Sequence, residues 1–139
     1  MTSSGRRDLL IVACAVSAGV HAALAPEHLR EAPAEGAGFV AAAALLAVLV
    51  VVLTYRPASR VALVAAAVGF AGLLTTYALA STTGIPLLHP DVEPVDGLGL
   101  ATKAVEILGL TLAAGLARGL RPAPPLRPLS SRRLEGARS

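Results

Sequence analysis

Four long apolar segments, separated by stretches that carry most of the charged residues, constrain the fold of this chain more than any other feature. A helix of about 20 residues crosses a hydrocarbon layer of roughly 30 Å and satisfies its backbone amides internally, which lipid cannot do. Hydrophobic residues make up 55% of the chain and charged residues 15%, which is too apolar for an ordinary water-exposed surface. We therefore predict an all-α fold, an antiparallel bundle of four transmembrane helices over residues 9–25, 38–55, 61–80 and 98–117.

The distribution of arginines predicts which side of the membrane each connecting stretch faces, because basic residues are retained on the cytoplasmic side. Residues 1–8, the connection 56–60 and the C-terminal segment 118–139 contain arginines, whereas the stretches 26–37 and 81–97 are mainly acidic. We predict a multi-pass protein of the plasma (cell) membrane with both termini in the cytoplasm. The lipid bilayer is therefore the expected partner of the four spans.

The C-terminal segment 118–139 differs in composition from the rest of the chain, since it is rich in proline and contains six arginines. Such a segment cannot bury enough apolar surface to fold, so we predict a disordered basic tail. Arg118 and Arg121, nearest the last span, are expected to contact the anionic lipid surface. Docking of the proline-rich stretch to a protein partner stays open. Nucleic-acid binding is not expected, because the tail has no aromatic residues for base stacking.

Ionisable residues inside the spans are the main candidates for function, because a charge in the membrane is costly and is retained for a purpose. Lys103 and Glu106 are three residues apart in the fourth span, so they share a helix face and can pair. His21 lies near the outer end of the first span, and Asp96 precedes the fourth. These four residues form the predicted ligand or ion-pair site on the outer side of the bundle.

A divalent-metal site is a second prediction for the same side of the membrane. All three histidines lie there, and histidine with carboxylate ligands suits Zn(II) or Cu(II). The spacing between the histidines matches no established metal motif. The predicted metal ligands are His21, His28, Glu31 and His89.

Several functions remain open for this polar cluster. It can be a purely structural ion pair or a metal or small-ligand site. It can also be a site of catalysis or proton-coupled transport in which Glu106 and His21 exchange protons while Lys103 holds an anionic substrate. The chain can also serve as an accessory subunit of a larger membrane complex, or form a homo-oligomer, through helix faces rich in Ala and Gly. No serine or threonine of the spans lies in a pattern typical of a catalytic nucleophile, which favours a protein that is not an enzyme without deciding the question.

Short polar stretches of the chain also show a resemblance to a known group of proteins. They are His21, Pro26-Glu27-His28, Glu31, Glu93-Pro-Val-Asp96 and Thr102-Lys103-Ala-Val-Glu106. Together they resemble small uncharacterised four-helix integral membrane proteins of high-GC actinobacteria. The resemblance implies a bacterial membrane protein and carries no activity with it.

Overall fold

The chain folds into four α-helices in a computed structural model that describes residues 2–85, 92 and 94–120. The helices are α1 (Ser3–Glu31), α2 (Pro33–Tyr55), α3 (Arg60–Ala80) and α4 (Gly97–Gly119). Each is long and apolar enough to cross a membrane. The prediction of an all-α protein with four such helices is therefore confirmed. The predictions for His89 and Arg121 concern residues that lie outside the described ranges, as does the predicted disordered tail from residue 121 onward. The first two residues of that predicted tail, Arg118 and Gly119, instead belong to α4, so the last helix is longer than expected.

The boundary between α1 and α2 differs from the loop expected over residues 26–37. Helix α1 continues through Pro26, which removes only one backbone hydrogen bond, and ends at Glu31. Ala32 alone separates the helices, with φ −139° and ψ 84°, and its N–H donates to the carbonyl of His28 at 2.8 Å. A residue before proline avoids helical geometry, while Pro33 suits the first position of a helix. The sequence Ala32-Pro33 thus ends one helix and starts the next.

The hairpin formed by α1 and α2 is tight at this junction. Gly36 is buried, and a Cβ atom at this position would collide with the backbone of Leu29. Only glycine lets the first turn of α2 lie so close to the last turns of α1. The two helices make the most extensive helix contact in the described part of the chain.

The helices form a ring in which α1 contacts α2 and α4, while α3 contacts α4 and, less extensively, α2. Consecutive helices run antiparallel. One end of the bundle therefore holds the Ala32 junction, the end of α3 and the start of α4, and we name it the Ala32 end. The other, named the Arg56 end, holds the start of α1, the α2–α3 connection and the end of α4.

The apolar core lies in the half of the bundle toward the Arg56 end. Its buried members come from all four helices: Leu10, Ala13, Cys14, Leu46, Leu49, Leu53, Ala62, Leu63, Ala66, Phe70, Leu112 and Ala113. Many valines and leucines on the opposite helix faces are exposed, as expected of side chains that face lipid. The other half of the bundle has a more polar interior, described below.

Phe70 and Gly109 mark the closest approach of α3 and α4. Phe70 is fully buried, and a Cβ atom at position 109 would overlap its ring. The aromatic ring therefore fills the space that the glycine leaves free. Gly115, two turns further along α4, has no such neighbour, since nothing lies within 4 Å of a Cβ atom at that position.

We expect Gly109→Ala to lower the free energy of unfolding by about 1 to 3 kcal/mol, because a buried ring must move to admit the methyl group. Gly115→Ala is the matched control and should leave stability equal or raise it by up to about 1 kcal/mol, since alanine favours helix. Unfolding in mixed micelles of mild detergent and dodecyl sulfate, followed by circular dichroism, measures both. Equal stability of the two variants would contradict the close α3–α4 packing.

Candidate functional site

Glu106 is the centre of a polar cluster inside the bundle. It lies nine residues after the start of α4, about 14 Å along the helix axis, and is 0% exposed. One carboxylate oxygen, Oε2, accepts a hydrogen bond from Lys103 Nζ at 2.7 Å, and the other, Oε1, accepts one from Ser17 Oγ at 3.1 Å. A short bond between ammonium and carboxylate is charge-assisted and strong. Both oxygens of the buried carboxylate are therefore satisfied.

Ser17 brings the middle of α1 to this carboxylate. It is fully buried and lies fourteen residues from either end of the helix. The contact between Ser17 and Glu106 is thus near mid-depth of the bundle. Charge is most costly at this depth, which explains why Glu106 has two hydrogen-bond donors.

His21 stands one turn beyond Ser17 on the same face of α1. Its Nδ1 lies 2.8 Å from the backbone carbonyl of Ser17. Because a carbonyl only accepts, Nδ1 carries the hydrogen, and this assignment fixes the tautomer of the neutral ring. The other ring nitrogen, Nε2, faces Glu106 Oε1 at 4.0 Å, which is longer than a hydrogen bond. His21 therefore presents a basic nitrogen toward the carboxylate without bonding to it.

Lys103 also contacts α3. Its ammonium lies 5.0 Å from the centre of the Tyr77 ring, within the range of a cation–π interaction. The hydroxyl of Tyr77 is the one buried side-chain oxygen or nitrogen in the described part of the chain that has no hydrogen-bond partner. An unpaired buried hydroxyl is costly, so this atom offers a donor to a further group.

Asp96, the fourth residue of the predicted ligand site, caps the start of α4. Its Oδ1 accepts a hydrogen bond from the backbone N–H of Gly99 at 2.5 Å, which satisfies one free amide of the first turn. It lies seven residues before Lys103, about 10 Å along the axis. The structure thus groups His21, Lys103 and Glu106, and gives Asp96 a capping contact of its own.

A second histidine and carboxylate meet at the Ala32 end. His28 Nε2 faces Glu35 Oε1 at 3.6 Å, and His28 Nδ1 lies 3.0 Å from the carbonyl of Leu24. The ring of Phe39, from α2, stacks on His28 with a centroid separation of 4.1 Å and contacts His21 at 5.4 Å. Glu31, predicted as a metal ligand, is exposed, and Glu35 takes the place beside His28.

The predicted metal ligands do not converge within the described ranges. No group of three or more His, Cys, Asp or Glu residues that could hold an ion occurs in residues 2–85, 92 and 94–120. His21 and His28 face different carboxylates, and the ammonium of Lys103 beside Glu106 would repel a cation. Because His89 lies outside these ranges, zinc or copper binding stays a prediction.

On α1 and α2, three side chains of this region make contacts that are not predicted from the sequence. They are Ser17, Glu35 and Phe39. The spacing of Ser17 four residues before His21 is a signal for a shared helix face. Glu35 and Phe39 reach the histidines only through the one-residue α1–α2 junction, for which the sequence offers no comparable signal.

No protein-family model, curated protein or solved structure shows significant similarity to the chain. What the cluster does must therefore be inferred from its own contacts. Three features of the cluster can take part in binding or proton transfer. They are the buried Lys103–Glu106 ion pair, the His21 nitrogen directed at the carboxylate and the unpaired Tyr77 hydroxyl.

Removal of the Lys103 ammonium should leave an uncompensated buried carboxylate. We expect Lys103→Met to lower the free energy of unfolding by about 3 to 5 kcal/mol, and the double variant with Glu106→Gln to lose less than Lys103→Met alone. Arg118→Met removes an exposed cation from the same helix, and its effect should stay within about 0.5 kcal/mol. Detergent unfolding followed by circular dichroism compares them. A Lys103→Met variant as stable as the unsubstituted chain would show that the ion pair does not hold the bundle.

Proposed function

We propose that this chain is a multi-pass protein of a bacterial plasma membrane that couples proton binding at Glu106 to the binding of a small anion at Lys103. The observation that carries the proposal is the position of His21 Nε2, 4.0 Å from a carboxylate oxygen that is already paired with an ammonium. A small movement brings the nitrogen within hydrogen-bond distance, at which a proton can pass.

The proton step uses only groups of this chain. His21 Nε2 accepts a proton and becomes an imidazolium, while Nδ1 keeps its hydrogen bond to the Ser17 carbonyl. The imidazolium then gives the proton to Glu106 Oε1, so that His21 is neutral again and Glu106 is a neutral carboxylic acid. Ser17, already hydrogen-bonded to Oε1, can follow this change because a hydroxyl both donates and accepts.

Protonation of Glu106 changes the charge of the cluster from zero to one positive charge, carried by Lys103. An ammonium without a counter-charge is costly inside a membrane, so the protonated state favours the entry of an anion. Tyr77 supports this step, because its buried hydroxyl lacks an acceptor and its ring lies 5.0 Å from the ammonium. Proton and anion binding then stabilise each other, and a net neutral pair occupies the site.

Two other functions receive less support from these contacts. A metal ion at Glu106 would have one histidine, one carboxylate and an adjacent ammonium, which is a poor cation site. A purely structural ion pair needs only Lys103 and Glu106. It does not account for the His21 nitrogen that is directed at the same carboxylate. Assembly as an accessory subunit or a homo-oligomer stays a prediction.

The proposed orientation places the Ala32 end outside the cell and the Arg56 end in the cytoplasm. It is supported by the arginines at positions 6, 7, 56, 60 and 118, all at the Arg56 end. The Ala32 end instead carries Glu27, Glu31, Glu35 and Asp96 against one arginine, Arg30. Proton and anion then meet the cluster from the outer side.

Acidification of the chain in lipid nanodiscs should produce an infrared carbonyl band from protonated Glu106. Glu106→Gln should abolish this band and Glu106→Asp should shift it, whereas Glu31→Gln, which removes an exposed carboxylate, should leave it unchanged. At constant pH, replacing gluconate with chloride should increase the band, because the anion stabilises the protonated state.

Two outcomes would contradict the proposal. Absence of a band dependent on Glu106 at every pH at which the bundle stays helical would exclude proton binding there. The experiment is repeated with nitrate and formate as further small anions. If the Glu106 band has the same intensity in these anions, in chloride and in gluconate, proton binding does not depend on anion binding, and the proposed coupling is wrong.

The orientation has its own test in intact cells, because Ala58 and Val92 are both exposed and lie at opposite ends of the bundle. In a Cys14→Ala background, a membrane-impermeant maleimide should label Val92→Cys directly. Ala58→Cys should react only after the cells are permeabilised. The reverse pattern would invert the orientation and place the Ala32 end in the cytoplasm.

A further inference from the structure

His28 repeats the geometry of His21 two turns further along α1. Each histidine lies with Nδ1 at hydrogen-bond distance from the carbonyl four residues earlier, 2.8 Å for His21 and 3.0 Å for His28. Each directs Nε2 at a carboxylate from another helix, Glu106 at 4.0 Å and Glu35 at 3.6 Å. The same helix face thus carries two histidine–carboxylate pairs, about 10 Å apart along the axis.

The two pairs differ in exposure in the order expected of a path from water to the membrane interior. The side chains of His28 and Glu35 are 26% and 18% exposed, whereas those of His21 and Glu106 are 8% and 0% exposed. The outer pair can therefore exchange protons with water, and the inner pair cannot do so directly.

Phe39 lies between the two pairs. Its ring contacts both imidazoles, with centroid separations of 4.1 Å to His28 and 5.4 Å to His21. An aromatic ring neither accepts nor donates a proton, so Phe39 cannot itself pass one from His28 to His21. Toward the Arg56 end, the described interior is the apolar core, including Leu10, Leu53 and Phe70.

We propose that His28 and Glu35 form an outer proton-binding station for Glu106, with Phe39 as the apolar gate between this station and His21. The inference rests on the proposed function, since it assigns the route by which the proton reaches Glu106. It also explains why both histidines are held in the same tautomer, with Nε2 available for the proton.

The proton moves from water to Glu106 in three transfers, and each transfer conserves protons and charge. His28 Nε2 takes a proton from a hydronium ion, which becomes water, and the ring becomes an imidazolium next to the Glu35 carboxylate. When the Phe39 ring moves aside, water carries the proton from His28 to His21, His28 becomes neutral, and His21 passes the proton to Glu106.

The charged and titratable groups around the route come from all four helices. Glu35 faces His28 from α2, Lys103 faces Glu106 from α4, and Tyr77 of α3 lies under Lys103. Three further charged residues near this end of α1, namely Glu27, Arg30 and Glu31, are exposed.

The test follows the Glu106 carbonyl band after a rapid pH drop, applied to the full chain in nanodiscs. Phe39→Ala should make the band appear about tenfold faster, since water can enter the space of the ring. Phe39→Leu keeps an apolar side chain of intermediate size and is the matched control, with a rate close to that of the unsubstituted chain. His28→Gln and Glu35→Gln should each slow the band severalfold while leaving its final size unchanged.

The possible results separate this inference from the proposed function. A Glu106 band that grows at one rate in all these variants overturns the route and the gate but leaves proton binding at Glu106 intact. Absence of the band in the unsubstituted chain overturns both. A change in its final size with Phe39→Ala, without a change in rate, would make Phe39 a packing residue of the site and overturn the gate. Circular dichroism of each variant confirms that the bundle is folded.

Discussion

The pairing of Glu106 with Lys103 is the constraint on which the interior of this bundle depends. A carboxylate that is 0% exposed near mid-depth of a membrane protein needs a counter-charge, and Lys103 on the same helix supplies it at 2.7 Å. Because the two residues are three apart, α4 satisfies the main charge requirement before it contacts another helix. The Ser17 hydroxyl then ties α1 to the free oxygen of the carboxylate and sets how the two helices face each other.

The bundle divides into two halves with different physical roles. Toward the Arg56 end, close packing of leucines, alanines and Phe70 excludes water and holds the helices together. Toward the Ala32 end, imidazoles, carboxylates and the Tyr77 hydroxyl lie inside or at the edge of the bundle. In the proposed function, a proton or an anion would reach the buried carboxylate through this polar half and not through the apolar core.

The sequence predicts the fold well because membrane spans are encoded locally, in the length and composition of each apolar segment. It also predicts the Lys103–Glu106 pair, whose spacing on one helix suffices, and it singles out His21 as a partner. The role of Ser17 is not encoded as clearly, since a serine in an apolar helix can equally bond its own backbone. The contacts of Phe39 and Glu35 with the histidines exist only because α1 continues past Pro26 to a one-residue junction. Composition and the proline predict a loop there, so these contacts cannot be inferred from the sequence.

The one-residue junction at Ala32 has a consequence for how this molecule can change shape. Gly36 of α2 packs against the Leu29 backbone of α1, and the two helices share the most extensive contact, so we expect them to move together as one hairpin. The contact between α2 and α3 is the least extensive around the ring, so it is the seam at which we expect the ring to open. Opening along that seam would pivot the α3–α4 pair about the α1–α4 contact. Glu106 and Lys103 would swing with this pair, while Ser17 and His21 would stay with the hairpin.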